Sequence, residues 1–132
     1  MPEMQCIVVT PETTVLEQAA EFVALPLYDG EIGIAPRHSP LIGRLGYGEL
    51  RLVSGDLTTR YYVDGGFVQV KDDVISVLTN RAIPAVQIDR QAAEEQLATA
   101  RARKVNTEEL LVIRDRQEAQ ARAQIRVSRR AR

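Results

Sequence analysis

The sequence predicts a β + α chain: an N-terminal antiparallel β-sandwich or flattened barrel, followed by a C-terminal antiparallel two-helix hairpin. Two observations carry that prediction. All eight glycines and all six prolines of the 132 residues lie within residues 1–84. Residues that make turns thus punctuate the first part every few positions and vanish from the second, the pattern of short strands followed by helix. Large apolar side chains (V, I, L, M, F, Y) number 35 in residues 1–88 but only 8 in residues 89–132. The first part can therefore build a core of its own, and the second has little to bury. The two parts divide into residues 1–85 and 86–132, with the composition changing between Pro84 and Asp89.

In chain order, Gln5–Thr10 is a β-branched run stopped by Pro11. Glu21–Tyr28 reads as a strand carrying Pro26, which has no amide hydrogen to give a ladder, so the strand is an edge or is bulged there. Asp29–Leu41 reads as a constrained loop with two glycines and two prolines. Gly48–Ser54 and Leu57–Asp64 form a hairpin through the two-residue turn Gly55-Asp56. Gly65-Gly66 reads as a turn or bulge before Phe67–Lys71, which places Val68 and Val70 on one face and Phe67, Gln69 and Lys71 on the other. Asp72-Asp73 then turns into Val74–Thr79.

The first helix starts at the cap Asp89, with Glu94 and Glu95 early and Arg101, Arg103 and Lys104 late, in the sense the helix dipole favours. Val105-Asn106-Thr107 interrupts it, and Asn106 or Thr107 caps a second helix opening on Glu108 and Glu109. So short a connection makes the helices antiparallel neighbours. Their apolar stripes are thin: Ala93, Leu97 and Ala100 on the first, Val112, Ala119, Ala123 and Val127 on the second. A hairpin this lean needs a surface to lean on, and could change it.

Composition excludes several functions. Net charge is −1, which does not suit a chain wholly given to nucleic acid. That charge is unevenly held, residues 1–84 carrying net −5 and residues 85–132 net +4. No apolar run approaches the ~18 residues that cross a bilayer, so no direct membrane insertion is expected. Residues 1–9 lack the basic lead-in and apolar stretch of a signal peptide. A lone cysteine, Cys6, and a lone histidine, His38, leave no material for a disulfide, a metal site or a Ser/His hydrolase. No metal, cofactor or catalytic residue is expected. The second helix bears Arg114, Arg116, Arg122 and Arg126; the spacing of Arg122 and Arg126 makes them repel, so this face is either solvated or meets an acidic partner. Nucleic acid is the competing partner, which would make the chain a β-domain with a basic helical tail, but no aromatic residue lies beyond Phe67 to stack on a base.

Three stretches together carry a resemblance. Asp29-Gly30-Glu31-Ile32-Gly33-Ile34-Ala35-Pro36-Arg37-His38-Ser39-Pro40-Leu41 resembles the G-E-(I/L)-G-I-x-P-G-H-x-P-L signature of the epsilon subunit of rotary ATP synthases. Tyr62-Val63-Asp64-Gly65-Gly66-Phe67-Val68-Gln69-Val70 resembles that family's (S/D)-G-G-F-x-(E/Q)-V segment, and Val8-Val9-Thr10-Pro11 fits its start. The resemblance spans essentially the whole chain. It implies a β-sandwich and two helices on the central stalk of a proton-translocating ATP synthase. Such a subunit does no chemistry itself; it couples the membrane rotor ring to the catalytic head during synthesis and restrains ATP hydrolysis.

The partners implied are the gamma subunit, the membrane rotor (c) ring and the beta subunits of the catalytic hexamer. The implied location is the cytoplasmic face of a bacterial plasma membrane, as a peripheral subunit, with a thylakoid membrane as the alternative. Glu31, Arg37 and His38 map to the loop facing the rotor ring and gamma, and Arg37 stands where the family has glycine. In many members the hairpin has a compact and an extended form, the latter bringing basic residues of the second helix to an acidic segment of beta; Arg114, Arg116, Arg122 and Arg126 are the candidates here. Some members bind ATP as a regulatory ligand through an (I/L)-D-x-x-R-A motif and later arginines. Asp89, Arg122 and Arg126 match it, but Ala92 replaces the motif's arginine and removes a charge-assisted contact, so ATP binding is expected to be weak or absent.

Overall fold

The computed structural model describes residues 3–130. Eight strands come first: β1 (Met4–Val9), β2 (Thr14–Ala20), β3 (Phe22–Leu27), β4 (Gly30–Ile34), β5 (Leu41–Ser54), β6 (Leu57–Lys71), β7 (Val74–Leu78) and β8 (Ala82–Pro84). A single 3₁₀ turn, Ala85–Gln87, leads into α1 (Arg90–Ala102) and α2 (Glu108–Arg129). The strands hydrogen-bond in the order β2-β1-β7-β6-β5-β3-β4, with β8 added to β6.

Two long strands make the frame. β5 and β6 pair antiparallel from Leu41–Val70 down to Ser54–Leu57, joined by the predicted Gly55-Asp56 turn, with only Gly46 and Gly65 unpaired. The buried positions reverse parity along both strands. In β5, Leu45 faces the core on odd numbering while Leu50 and Leu52 face it on even; in β6, Val63 is odd while Val68 and Val70 are even. The reversal falls at Gly46 and at Gly65-Gly66, where φ reaches +71° and +107°. Side chains with a Cβ avoid such angles. At Gly66 the approach of backbone is equally decisive, since a Cβ there would lie 1.9 Å from the Leu78 carbonyl oxygen. The glycine pair is therefore a bend inside one strand and not a turn between two.

Other expectations are refined in the same way. The segment Asp29–Leu41 contains β4, which pairs with β3 and forms one edge of the sheet, β2 forming the other. β3 shifts register against β5 between Ala24 and Leu27, so Pro26 sits in a bulge, one of the places a strand tolerates proline. Every pairing is antiparallel except β1 with β7, which is parallel. These two strands are far apart in the chain, so no tight turn dictates their relative direction. The inner faces enclose one core that includes Met4, Cys6, Val8, Val23, Leu25, Ile34, Leu50, Leu52, Val63, Ile75 and Val77.

Both helix caps form. The Asp89 carboxylate accepts from the Ala92 amide, and Thr107 Oγ1 accepts from the Leu110 amide. Glu94 and Glu95 fall beyond the first turn of α1, so that turn carries no acid. The apolar stripes are only partly right: Ala93, Ala100, Ala123 and Val127 are buried, while Val112 and Ala119 are exposed and Ala121 and Ile125 are buried instead. The reason is that α2 packs on two sides, against α1 and against the sandwich. Against the sandwich, Ala123 and Val127 meet Tyr62 and Ala85, flanked by Tyr47, Ile83 and Ile88. That second core is small beside the first.

Candidate functional site

Among the described residues there is no group of three His, Cys, Asp or Glu able to hold a metal, and no helix is long and apolar enough to cross a membrane. Cys6 is buried in β1, and burial alone pushes its thiol up to about 12, so it is no nucleophile. What the fold presents are surfaces.

At one end of the sandwich the turn after β4 lies beside the turn between β6 and β7. The Arg37 amide donates to Asp73 Oδ1 at 2.6 Å, and His38 Nδ1 lies 2.7 Å from the Ser39 carbonyl oxygen. Arg37 has φ +65°, the left-handed region that glycine enters most easily. Arginine here thus holds a backbone shape that glycine would adopt with less strain. Glu31 does not join this group. It sits on the edge strand β4 opposite Pro26, with its carboxylate 3.9 Å from Arg51.

Glu31 belongs to a different place, a cavity of about 410 Å³ between the sandwich and the last turns of α2. It is lined by Pro26, Glu31, Glu49, Arg126, Arg129 and Arg130, among others. Of the four arginines proposed for a partner, only Arg126 reaches it. Arg116, Arg122 and Arg126 are exposed, while Arg114 is half-buried, 3.5 Å from Asp115, with its Nε lacking a partner. Arg114 lies twelve residues before Arg126, about 18 Å along the helix at ~1.5 Å per residue. The Asp89 carboxylate is engaged as the α1 cap, and neighbouring Arg90 donates to Ser128 Oγ at 3.1 Å, tying the start of α1 to the end of α2.

Three features lie outside the sequence-predicted set. Glu49, on β5, is 7% exposed and takes contacts from three arginines on one oxygen: Arg60 at 2.8 Å, Arg51 at 3.2 Å and Arg130 of α2 at 3.5 Å. Asp64, also buried, accepts from the Tyr62 hydroxyl at 2.7 Å and from Gln120 Nε2 of α2 at 3.0 Å. Burial, then the bond to Asp64, raises Tyr62 far above the ordinary phenol range. The third feature is a row across the outer face that α2 leaves bare. Arg44 stacks 4.6 Å over the Tyr28 ring and pairs across strands with Phe67, which pairs in turn with Leu78. Tyr28, Phe67 and Leu78 are 71%, 61% and 57% exposed, and Ile42 on the same face is 78% exposed. The alternation of Phe67–Lys71 pointed to the outward Phe67, but nothing in the sequence shows which outer face the helix covers.

Comparison with known proteins gives consistent results. Residues 3–85 match the family described as the ATP synthase, Delta/Epsilon chain, beta-sandwich domain. The ATP synthase epsilon chain of Rhodopirellula baltica is 50% identical over 126 residues, covering 96% of this chain and 98% of that one. The epsilon chain of Granulibacter bethesdensis is 36% identical over 103 residues, 77% of this chain and 76% of that one. Among solved structures, a chain of the Euglena gracilis mitochondrial ATP synthase (OSCP/F1/c-ring, rotational state 1) superposes with a TM-score of 0.84 at 21% identity, covering 93% of this chain and 80% of that one. A chain of the central stalk/c-ring of the Tetrahymena thermophila mitochondrial enzyme gives 0.75 at 12% identity, covering 96% and 97%. At those identities the superpositions show a shared fold.

Proposed function

The chain belongs to the ATP synthase epsilon-chain family, and on that premise we propose that it is a non-catalytic central-stalk subunit that couples the membrane rotor ring to the catalytic head and restrains ATP hydrolysis through α1 and α2. The observation that carries this reading is the unequal attachment of the two parts. The sandwich encloses a core of fifteen buried residues, whereas the hairpin meets it through a cluster of four, Tyr62, Ala85, Ala123 and Val127. The docked hairpin is then the compact form, and a second position for α2 costs little because so little is uncovered.

Each surface has a place in that scheme. The turn carrying Arg37 and His38 is polar and meets the rotor ring. The bare row of Tyr28, Arg44, Phe67 and Leu78 suits the gamma subunit, because exposed apolar side chains in one contiguous row are the usual mark of a protein interface. Arg114, Arg116, Arg122 and Arg126 are the residues α2 would offer to beta in its extended form. ATP contributes weakly at most, since Ala92 carries a methyl where a guanidinium is needed and Asp89 is occupied as a cap. The complex is held at the cytoplasmic face of a bacterial plasma membrane, this subunit being peripheral.

Truncation after Ile88 in the assembled complex tests the reading. ATP hydrolysis should rise, about fivefold for a brake worth ~1 kcal/mol, with gamma and the truncated chain still copurifying. Unchanged hydrolysis would show that the hairpin is no brake, and loss of copurification would show that it is needed for assembly.

A further inference from the structure

The charge asymmetry between the two halves of the chain has a structural counterpart. Residues 1–84 carry net −5 and residues 85–132 net +4. Where they meet, Glu49 and Glu31 line the cavity that also receives Arg126, Arg129 and Arg130 from the end of α2. Arg130–Glu49, at 3.5 Å, is the one ion pair that joins α2 to the sandwich among the described residues. Glu49 Oε2 is buried and has no partner among the described residues. A buried carboxylate oxygen left open is costly, and the arginines that line the cavity from the end of α2 are donors placed to satisfy it. Near the middle of α2, Gln120 Nε2 bonds to Asp64 Oδ1, the acceptor already shared with Tyr62.

We infer that Glu49 and Asp64 form a two-point latch that holds α2 in its docked position, with Glu49 acting as an internal acidic partner for the arginines of the last turn. The apolar contact between them is made by two alanines, a valine and a tyrosine ring, which give adhesion but little register. The two carboxylates supply the register, one for each end of the contact. Glu49 therefore competes with any acidic surface outside the chain for the same guanidinium groups. The regulatory meaning of the latch rests on the function proposed above, but its existence does not.

Hydrogen exchange on the isolated full chain tests it. Glu49→Gln keeps the volume and removes the charge; amides of residues 120–130 should exchange about tenfold faster, with β1 and β7 unchanged. Arg130→Gln, a change at the surface, should give about threefold in the same segment and add nothing in the Glu49→Gln background. A Glu49 that served only Arg51 and Arg60 would instead accelerate β5 and β6 and spare α2, and that result overturns the latch. So would full additivity of the two changes. If Glu49→Gln fails to fold, Arg130→Gln alone decides: faster exchange in the last turns of α2 supports the latch, and unchanged exchange overturns it. Because no other subunit is present, a failed hydrolysis test leaves this outcome standing, and the reverse also holds.

Discussion

At the level of single residues, backbone conformation explains more than side-chain chemistry. Arg37 keeps φ +65° although a Cβ makes that region cost about 1 kcal/mol. The hydrogen bond that its backbone amide donates to Asp73 Oδ1 fixes the turn, and that bond needs no particular side chain at position 37. Arg37→Gly should therefore raise the midpoint of urea unfolding, corresponding to about 0.5–1 kcal/mol of added stability, and leave the fold unchanged. An unchanged or lowered midpoint would mean that the arginine side chain supports the turn in its own right. Gly66 is the opposite case, for there the Leu78 carbonyl leaves no room for any Cβ. Glu49 was illegible in the sequence for a related reason. A glutamate between Gly48 and Leu50 reads as an outward strand position, and only the fold brings Arg60 of the next strand and Arg130 from beyond a distant helix onto it.

At the level of elements, the caps and most strands were legible, whereas β2, β4, β8, the first half of β5 and the faces were not. Gly55-Asp56, Asp72-Asp73, Asp89 and Thr107 each mark a boundary through local chemistry, and each stands where that chemistry puts it. β4 escaped because two glycines in its five residues, Gly30 and Gly33, resemble loop. The simple alternation of faces fails in β5 and β6 because each strand changes face at a glycine, which leaves no period-2 trace. In α2 the expected single stripe became two contact faces, since a helix packed on both a partner helix and a sheet must bury more than one side. Of its five buried residues, two are alanine and one is Gln124. Residues 86–132 as a separate peptide should accordingly show weak helical circular dichroism at 25 °C, whereas residues 1–88 should keep their sheet spectrum and melt cooperatively. A peptide that is strongly helical alone would show that the hairpin does not depend on the sandwich.

Across the whole molecule, the two groups with the most displaced titration sit in different cores. Cys6 lies in the sandwich and Tyr62 lies under α2. Both are raised in the folded chain, mainly by burial, Cys6 from 9.0 to about 12. A raised acid favours the folded state while it stays protonated, so this contribution is complete below pH 9. As the unfolded thiol ionises above that point, stability should fall by about 1.4 kcal/mol per pH unit for Cys6 alone, with Tyr62 adding to the loss above pH 10. Urea unfolding of wild type and Cys6→Ala between pH 8 and pH 11 measures it; parallel curves for the two would remove Cys6 from the account.

The β5–β6 ladder passes beneath both of the molecule's working faces. Glu49, Tyr62 and Asp64 meet the helix near the middle of the ladder, and Ile42, Arg44 and Phe67 stand open toward its Leu41–Val70 end. A load applied at the open end would thus reach the helix seat through continuous backbone, as along a stiff bar. The crossing at Gly46 and Gly65 is the one joint in that bar where paired rungs are missing, and flexure would concentrate there.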